Sequence, residues 1–116
     1  MVKFDLNLMG EGEGVDWYFS KTFEMSALPR EGEEIDIEGT GFMVESICHD
    51  LGRGIIRVVC DATLSSIACV FSEGMNGWRD FSNPNEKEKI RQLLRSQNLP
   101  PTVLIDNDFE FVFENE

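Results

Sequence analysis

The sequence predicts a mostly β fold of the α+β class, a curved antiparallel sheet or partly open barrel of six to eight strands with one helix over residues 84–97 packed against it. Two observations support this prediction. Apolar and polar residues alternate with a period of two over much of residues 2–61, which is typical of half-buried strands. Short glycine-containing segments separate these stretches, and short connections join antiparallel neighbours.

The first two predicted strands form a hairpin. Residues 2–8 alternate apolar and polar side chains, and residues 16–25 repeat the pattern with Trp17 on one face and Tyr18 on the other. The segment 10–14, GEGEG, lacks the lysine of a phosphate-binding loop and precedes a strand instead of a helix. It is therefore interpreted as a hairpin turn and not as a nucleotide site.

A third strand is predicted over residues 34–38, followed by a hairpin of residues 42–49 and 55–61. The order of turn, strand and hairpin over residues 28–61 resembles that of small SH3-like barrels. The resemblance covers about a third of the chain and includes no residue specific to a family, so it bears on the fold alone.

Two registers are open for the long hairpin. A two-residue loop would place Cys48 opposite Arg57, whereas a three-residue loop over residues 52–54 places Cys48 opposite Val58 and His49 opposite Arg57. The second register is favoured because it collects apolar residues on one face. It predicts that Cys48 belongs to the core and that His49 and Arg57 lie together on the outer face.

The second half of the chain is less regular. Residues 62–71 fit either a strand or a short helix, and a strand over 66–71 is favoured by its β-prone residues. The helix over 84–97 is better specified, since Asn83 suits the cap, Pro84 the first helical position and Glu86 the third. Two further strands are expected over residues 102–105 and 109–113.

Length and charge limit the classes of function. The 116 residues suit one domain, and no apolar run reaches the roughly 20 residues of a membrane span. The absence of a signal-like segment and the odd count of three cysteines favour a cytoplasmic location. A net charge of −12 argues against direct nucleic-acid binding and favours a basic protein partner.

No catalytic or metal-binding pattern is evident. His49 is the only histidine, and its neighbour Cys48 points to the other side of the same strand, so the two do not form a dyad. Three cysteines without spaced partners do not make a zinc site. No cofactor is expected, and a non-enzymatic role is preferred.

Candidate binding residues fall into three groups: the aromatic loop residues Met75, Trp78, Arg79 and Phe81, the acidic residues Glu33, Glu34 and Asp36, and the outer hairpin residues His49 and Arg57. The loop residues are of types enriched at interface hot spots, but the favoured interpretation is that they close one open end of the barrel. The acidic run and the hairpin pair have an equally simple alternative, a solvated strand face.

The sequence therefore favours a small acidic protein-interaction module. An inhibitor that occupies the groove of a nucleic-acid-binding protein is a sharper version of the same hypothesis. The alternatives are a small-ligand or enzymatic pocket inside the curved sheet, and a homodimer formed through an exposed strand edge.

Overall fold

The computed structural model describes residues 1–72 and 77–97, which form six strands, two α-helices and one 3₁₀ turn. In chain order the elements are β1 (Val2–Gly12), β2 (Val15–Met25), β3 (Glu34–Ile37), β4 (Thr40–Asp50), β5 (Ile55–Asp61), α1 (Leu64–Ser72), β6 (Arg79–Asp80), the 3₁₀ turn Pro84–Glu86 and α2 (Lys87–Arg95). The predicted strands over 102–105 and 109–113 lie outside the described residues. Within the described ranges, no helix has the length and apolar character needed to cross a bilayer.

The strands form one sheet in the order β3-β4-β5-β1-β2-β6, which confirms the mostly β fold class. All neighbouring strands are antiparallel except β1 and β5, which run parallel, so the sheet is mixed and not purely antiparallel as predicted. The turn signals in the sequence specify pairing within the β1–β2 hairpin and within the β3–β4–β5 meander. They contain nothing about how these two units meet, and that junction is the parallel pair.

The core lies between one face of the sheet and the two helices. Side chains from β1, β2, β4 and β5 meet the apolar faces of α1 and α2, and the largest fully buried ones are Phe19, Phe71, Leu6, Leu8, Ile67, Ile90 and Leu94. We call this the inner face of the sheet. Trp78 joins this cluster, with its ring 5.8 Å from that of Phe71 and 6.2 Å from that of Phe23. Trp78, a binding candidate for which closure of one end of the barrel is the favoured alternative, is therefore part of the core.

The prediction of a strand over residues 66–71 is wrong, because these residues belong to helix α1. The side chains of Leu64, Ile67, Ala68, Val70 and Phe71 are buried, which is the spacing of one helix face. The Thr63 hydroxyl accepts a hydrogen bond from the Ser66 backbone N–H at 3.1 Å and so caps the first turn. Burial against the sheet and this cap outweigh the β propensity of the individual residues. The described part of the chain therefore contains two α-helices and not one.

The predicted helix over 84–97 is confirmed in its main features. It begins as the 3₁₀ turn and continues as α2 to Arg95. The Asn83 side chain accepts a hydrogen bond from the Asn85 backbone N–H at 2.9 Å, and Pro84 occupies the first position. The Glu86 carboxylate does not complete the capping box, since it accepts a hydrogen bond from Asp16 on β2 instead.

The favoured register of the long hairpin is also wrong. Cys48 pairs with Arg57 and His49 with Ile56, while Val44 pairs with Cys60 and Ser46 with Val59. Glu45 is therefore the extra residue of a β-bulge, which reverses the alternation of faces along β4.

The reversal changes which side chains reach the core. Val44 and Ile47 both pack on the core, whereas Cys48 is exposed. Because successive strand residues point to opposite faces, His49 and Arg57 lie on different sides of the sheet and not side by side.

The sheet curls strongly without closing. Although β3 and β2 are far apart in the strand order, Ile35 and Ile37 of β3 face Phe4 and Phe23 across a cleft of about 250 Å³ on the inner face. Thus β3 folds back over the core next to the end of β2.

Candidate functional site

Among the described residues, an open groove of about 550 Å³ combines an aromatic floor with an acidic rim. Most of its floor lies on the face of the sheet opposite the core. Four half-buried side chains, from Met9, Tyr18, Val59 and Phe81, form this floor. Five acidic side chains surround it, those of Glu11, Asp16, Glu45, Asp61 and Glu86. We call this site the acidic groove; its described lining contains no Lys, Arg or His.

Strand pairing positions the floor. Met9 of β1 lies opposite Tyr18 of β2, and Val59 follows on the neighbouring strand β5. Phe81 is held at the other side of Tyr18, because the Phe81 backbone N–H donates to the Tyr18 carbonyl at 2.8 Å. The two rings pack edge to face with centroids 5.6 Å apart, an arrangement favoured by the ring quadrupoles.

The acidic side chains come from five different elements. Glu11 and Asp16 are directly opposite each other beside the β1–β2 turn, and Asp61 ends β5. Glu45 is the bulge residue of β4, and Glu86 belongs to the 3₁₀ turn. The charges gather at this end of the sheet because strand termini, a bulge and a helix entry all meet here.

Beneath the rim, Trp17 fixes the end of β1. Its indole Nε1–H donates to the Ala62 carbonyl at 2.8 Å, and its ring lies against Gly10, the residue opposite it on β1. A Cβ at Gly10 would lie 2.5 Å from the Ala62 oxygen and 2.6 Å from Trp17 Nε1, so only glycine permits this approach.

A buried polar cluster supports the wall that contains Phe81. The Ser82 backbone N–H donates to the Asp80 carboxylate at 2.8 Å, the Ser82 hydroxyl accepts from the Tyr18 N–H at 2.9 Å, and Lys87 Nζ donates to the Asp80 carbonyl at 3.1 Å. Asp80 is fully buried, and its second carboxylate oxygen has no hydrogen-bond partner in residues 1–72 and 77–97. Burial raises the pKa of Asp80, against the hydrogen bonds from Ser82 and the charges of Lys87 and Arg91.

The structure distributes the predicted candidate residues over several sites. Phe81 lines the acidic groove, Arg79 is exposed on β6, Trp78 is buried in the core and Met75 lies outside the described residues. The sequence does not distinguish these environments, because the residues are neighbours in one predicted loop and of similar types. The pairing of β6 with β2 decides which face each side chain occupies.

The predicted acidic residues of the β3 region contribute mainly to local turns. The Glu33 carboxylate accepts a hydrogen bond from the Arg30 N–H at 2.7 Å, and the Asp36 carboxylate accepts one from the Gly39 N–H at 2.8 Å. Glu34 lies over Gly41 and beside the cleft. These three residues are not part of the acidic groove.

On the outer hairpin, Arg57 forms an ion pair with Asp50, whose carboxylate oxygen lies 3.2 Å from Arg57 Nη2. The hydrogen bond from the Arg53 backbone N–H, with the charge of Arg57 added, holds the pKa of Asp50 below its ordinary value. His49 is exposed on the other side of the sheet.

Cys60 is the one buried thiol among the three cysteines. Burial, with the charge of Glu45 added, raises its pKa to about 11. A thiol with so high a pKa is a poor nucleophile at neutral pH. Residues 1–72 and 77–97 contain no group of three His, Cys, Asp or Glu side chains placed to hold a metal ion.

Sequence reasoning identified one residue of the acidic groove, Phe81, and missed its acidic rim. The rim residues are widely separated in the chain, and each is one acid among 22. Comparisons with protein-family models, with curated proteins and with solved structures found no match.

Proposed function

We propose that this protein is a non-enzymatic interaction module that binds a basic segment of a protein partner in the acidic groove. The observation that carries the proposal is the combination of five acidic side chains with an apolar, aromatic floor in one groove. A carboxylate rim attracts Arg and Lys side chains, and the floor accommodates their aliphatic stems.

The aromatic pair adds a second attraction for such a ligand. A guanidinium or ammonium group within about 6 Å of a Tyr or Phe ring gains roughly 0.5–1 kcal/mol at an exposed site. Tyr18 and Phe81 are both half-buried, so part of each ring remains accessible. Because the rings pack edge to face, one of them contacts the other only through its edge, and this contact does not cover its own faces.

The spread of the acidic side chains favours an extended ligand with several charges. The five residues come from four strands and the 3₁₀ turn around a groove of about 550 Å³. A basic peptide matches this distribution better than a single compact cation. A groove of this volume is in the range of known ligand sites.

Proteins that bind nucleic acids are one class of partner with the required basic surface, and an inhibitor of such a protein is a special case of the proposal. This version predicts that DNA or RNA competes with the acidic protein for the target. Simultaneous binding of nucleic acid and this protein to one target would contradict the inhibitor version but not the general proposal.

The alternative of a ligand or catalytic pocket inside the curved sheet receives less support. Phe19, Phe71 and Ile67 fill the space between the sheet and the helices. The cleft beside β3 is smaller, at about 250 Å³, and its described lining is mainly apolar.

The direct test is titration of a fluorescein-labelled peptide of alternating arginine and glycine, followed by anisotropy. We expect the double variant Glu11→Gln/Asp61→Asn to weaken binding about tenfold, and Phe81→Ala to weaken it about threefold through the lost ring contact. Binding should also weaken as ionic strength rises from about 50 to about 300 mM.

The matched control is the double variant Glu31→Gln/Glu38→Gln, which removes the same charge from exposed positions outside the groove. It should leave binding within about twofold of the unchanged protein. Equal weakening by the two double variants would show that only net charge matters, and the proposed site would then be wrong.

A further inference from the structure

A second surface is found at the open seam of the curled sheet. β3 is the last strand of the sheet, so one side of its backbone has no strand partner among the described residues. β2 extends to Met25, whereas its outer neighbour β6 covers only Phe19 and Ser20. Two strand edges thus approach each other across the cleft without pairing.

The cleft between these edges is apolar. Phe4 and Leu6 form its floor, Phe23 and Met25 line the β2 side, and Ile35 and Ile37 line the β3 side. Phe23, Ile35 and Ile37 are only half-buried, and Met25 is 42% exposed. These side chains would gain burial if an apolar side chain entered the cleft.

The backbone of β3 offers hydrogen-bonding groups at the same place. The Glu33 carbonyl accepts a hydrogen bond from the Val44 backbone N–H at 2.8 Å. In the same ladder, Ile35 and Ile37 are the next positions whose backbone groups face β4. Because bonded positions alternate in an antiparallel pair, the N–H and C=O groups of Glu34 and Asp36 point away from β4. An extended segment could therefore pair with these two residues.

Charge selects the kind of segment that fits. Glu34 and Asp36 are exposed on β3, and Glu31, Glu33 and Glu38 flank them. In an antiparallel pair of two β3 strands these acids would face each other, and like charges directly opposite are destabilising. A strand with basic residues at these positions is favoured instead.

We propose that the free edge of β3 binds an extended segment of a partner protein in which basic and apolar residues alternate. Its backbone pairs with Glu34 and Asp36, its basic side chains lie beside their carboxylates, and its apolar side chains enter the cleft toward Phe4 and Phe23. This mode is β-strand addition, in which the backbone provides affinity and alternate side chains provide specificity. The site shares no lining residue with the acidic groove and does not depend on it.

The test uses a labelled peptide of alternating lysine and valine, and a second peptide of the same sequence with N-methyl groups on alternate backbone amides. We expect the N-methylated peptide to bind about tenfold more weakly, because it lacks the donors for pairing with β3. Amide hydrogen exchange at Glu34 and Asp36 should slow when the unmodified peptide binds. Equal binding of both peptides, or unchanged exchange at these amides, would overturn the proposal.

Variants locate the site. Met25→Lys places a charge at the mouth of the cleft and should weaken peptide binding about tenfold, whereas Leu51→Lys makes the same charge change at a fully exposed turn position and should have little effect. These measurements are made in the Glu11→Gln/Asp61→Asn background, in which the acidic groove binds basic peptides weakly, so that the signal reports on the β3 edge. Equal weakening by Met25→Lys and Leu51→Lys would overturn the proposal.

Light scattering of the protein alone tests whether a second copy of this chain, and not a partner protein, occupies the β3 edge. A monomer up to millimolar concentration agrees with the proposal. A dimer whose formation protects the Glu34 and Asp36 amides without added peptide would show that a second copy occupies the edge, and the proposal would then be wrong.

Discussion

Glu11 lies directly opposite Asp16 in the β1–β2 ladder, at the rim of the acidic groove. Like charges in this position are destabilising by up to about 1 kcal/mol. The described lining of the groove provides no basic side chain to offset the repulsion. A cationic ligand would relieve this repulsion. The free protein therefore retains an unfavourable interaction that ligand binding removes. Destabilising arrangements of this kind are common at functional sites.

Replacement of Glu11 by Gln should therefore stabilise the protein while it weakens binding. We expect the free energy of unfolding to rise by about 0.5 kcal/mol at low salt, measured by urea denaturation. Glu24→Gln is the matched control on the same hairpin, because Glu24 faces Lys3 and its neutralisation removes an attraction. A loss of stability in Glu11→Gln, or an equal gain in Glu24→Gln, would contradict this interpretation.

Replacement of Trp78 should mainly reduce stability, whereas replacement of Phe81 should mainly reduce peptide binding. Trp78 is only 3% exposed and packs on Phe71 and Phe23, so Trp78→Ala should cost about 3–5 kcal/mol of unfolding free energy. Phe81 is half-buried, so Phe81→Ala should cost about 1–2 kcal/mol and act mainly on binding of the arginine peptide. Denaturation and anisotropy on both variants separate these effects. A stable Trp78→Ala variant with impaired binding would instead place Trp78 at the binding surface.

Alkylation of the cysteines tests the corrected hairpin register. Cys48 and Cys69 are exposed, whereas Cys60 is buried and burial raises its pKa to about 11. Iodoacetamide at mildly alkaline pH should modify Cys48 and Cys69 in the native protein and Cys60 only after unfolding. Peptide mass spectrometry reads out each site. Protection of Cys48 equal to that of Cys60 would restore the register in which both thiols face the core.

The buried carboxyl of Asp80 should produce a specific pH dependence. Burial raises its pKa in the folded protein above the ordinary value of 3.8, so the folded state retains this proton as the pH rises while the unfolded state releases it. The contribution of Asp80 to stability is therefore most favourable at low pH and declines as the pH rises from 3.8 through the folded pKa. Asp80→Asn cannot titrate and lacks this decline.

The measurement is the difference in unfolding free energy between Asp80→Asn and the unchanged protein, from urea titrations at several pH values above about 4. This difference should shift in favour of Asp80→Asn as the pH rises, whatever its value at the lowest pH. A difference that is constant, or that shifts the other way, would show that the carboxyl does not have a raised pKa in the folded state.

The local elements with explicit signals were predictable. Alternation identified β1 to β5, and the sequence of Asn83, Pro84 and Glu86 identified the start of the second helix. Helix α1 was not, because its apolar run of Ile, Ala, Cys, Val and Phe has no clear period and its cap depends on one threonine. Short apolar runs of this kind fit strands and helices equally well, and packing decides between them.

The hairpin register shows a different limit. Face patterns were a sound criterion, but they assume uninterrupted alternation, and the bulge at Glu45 breaks it. The same bulge places Glu45 in the rim of the acidic groove. One inserted residue thus accounts both for the wrong register and for part of the site that the sequence did not indicate.

By itself, the sequence determined strands β1 to β5, the β1–β2 turn, the capped second helix and the strong negative charge, because each depends on neighbouring residues or on composition. Only the tertiary structure decided that β5 pairs in parallel with β1, that Trp78 closes the core and that five separated acids surround Tyr18 and Phe81. The physical reason is that these features depend on contacts between residues distant in the chain, for which local periodicity carries no information.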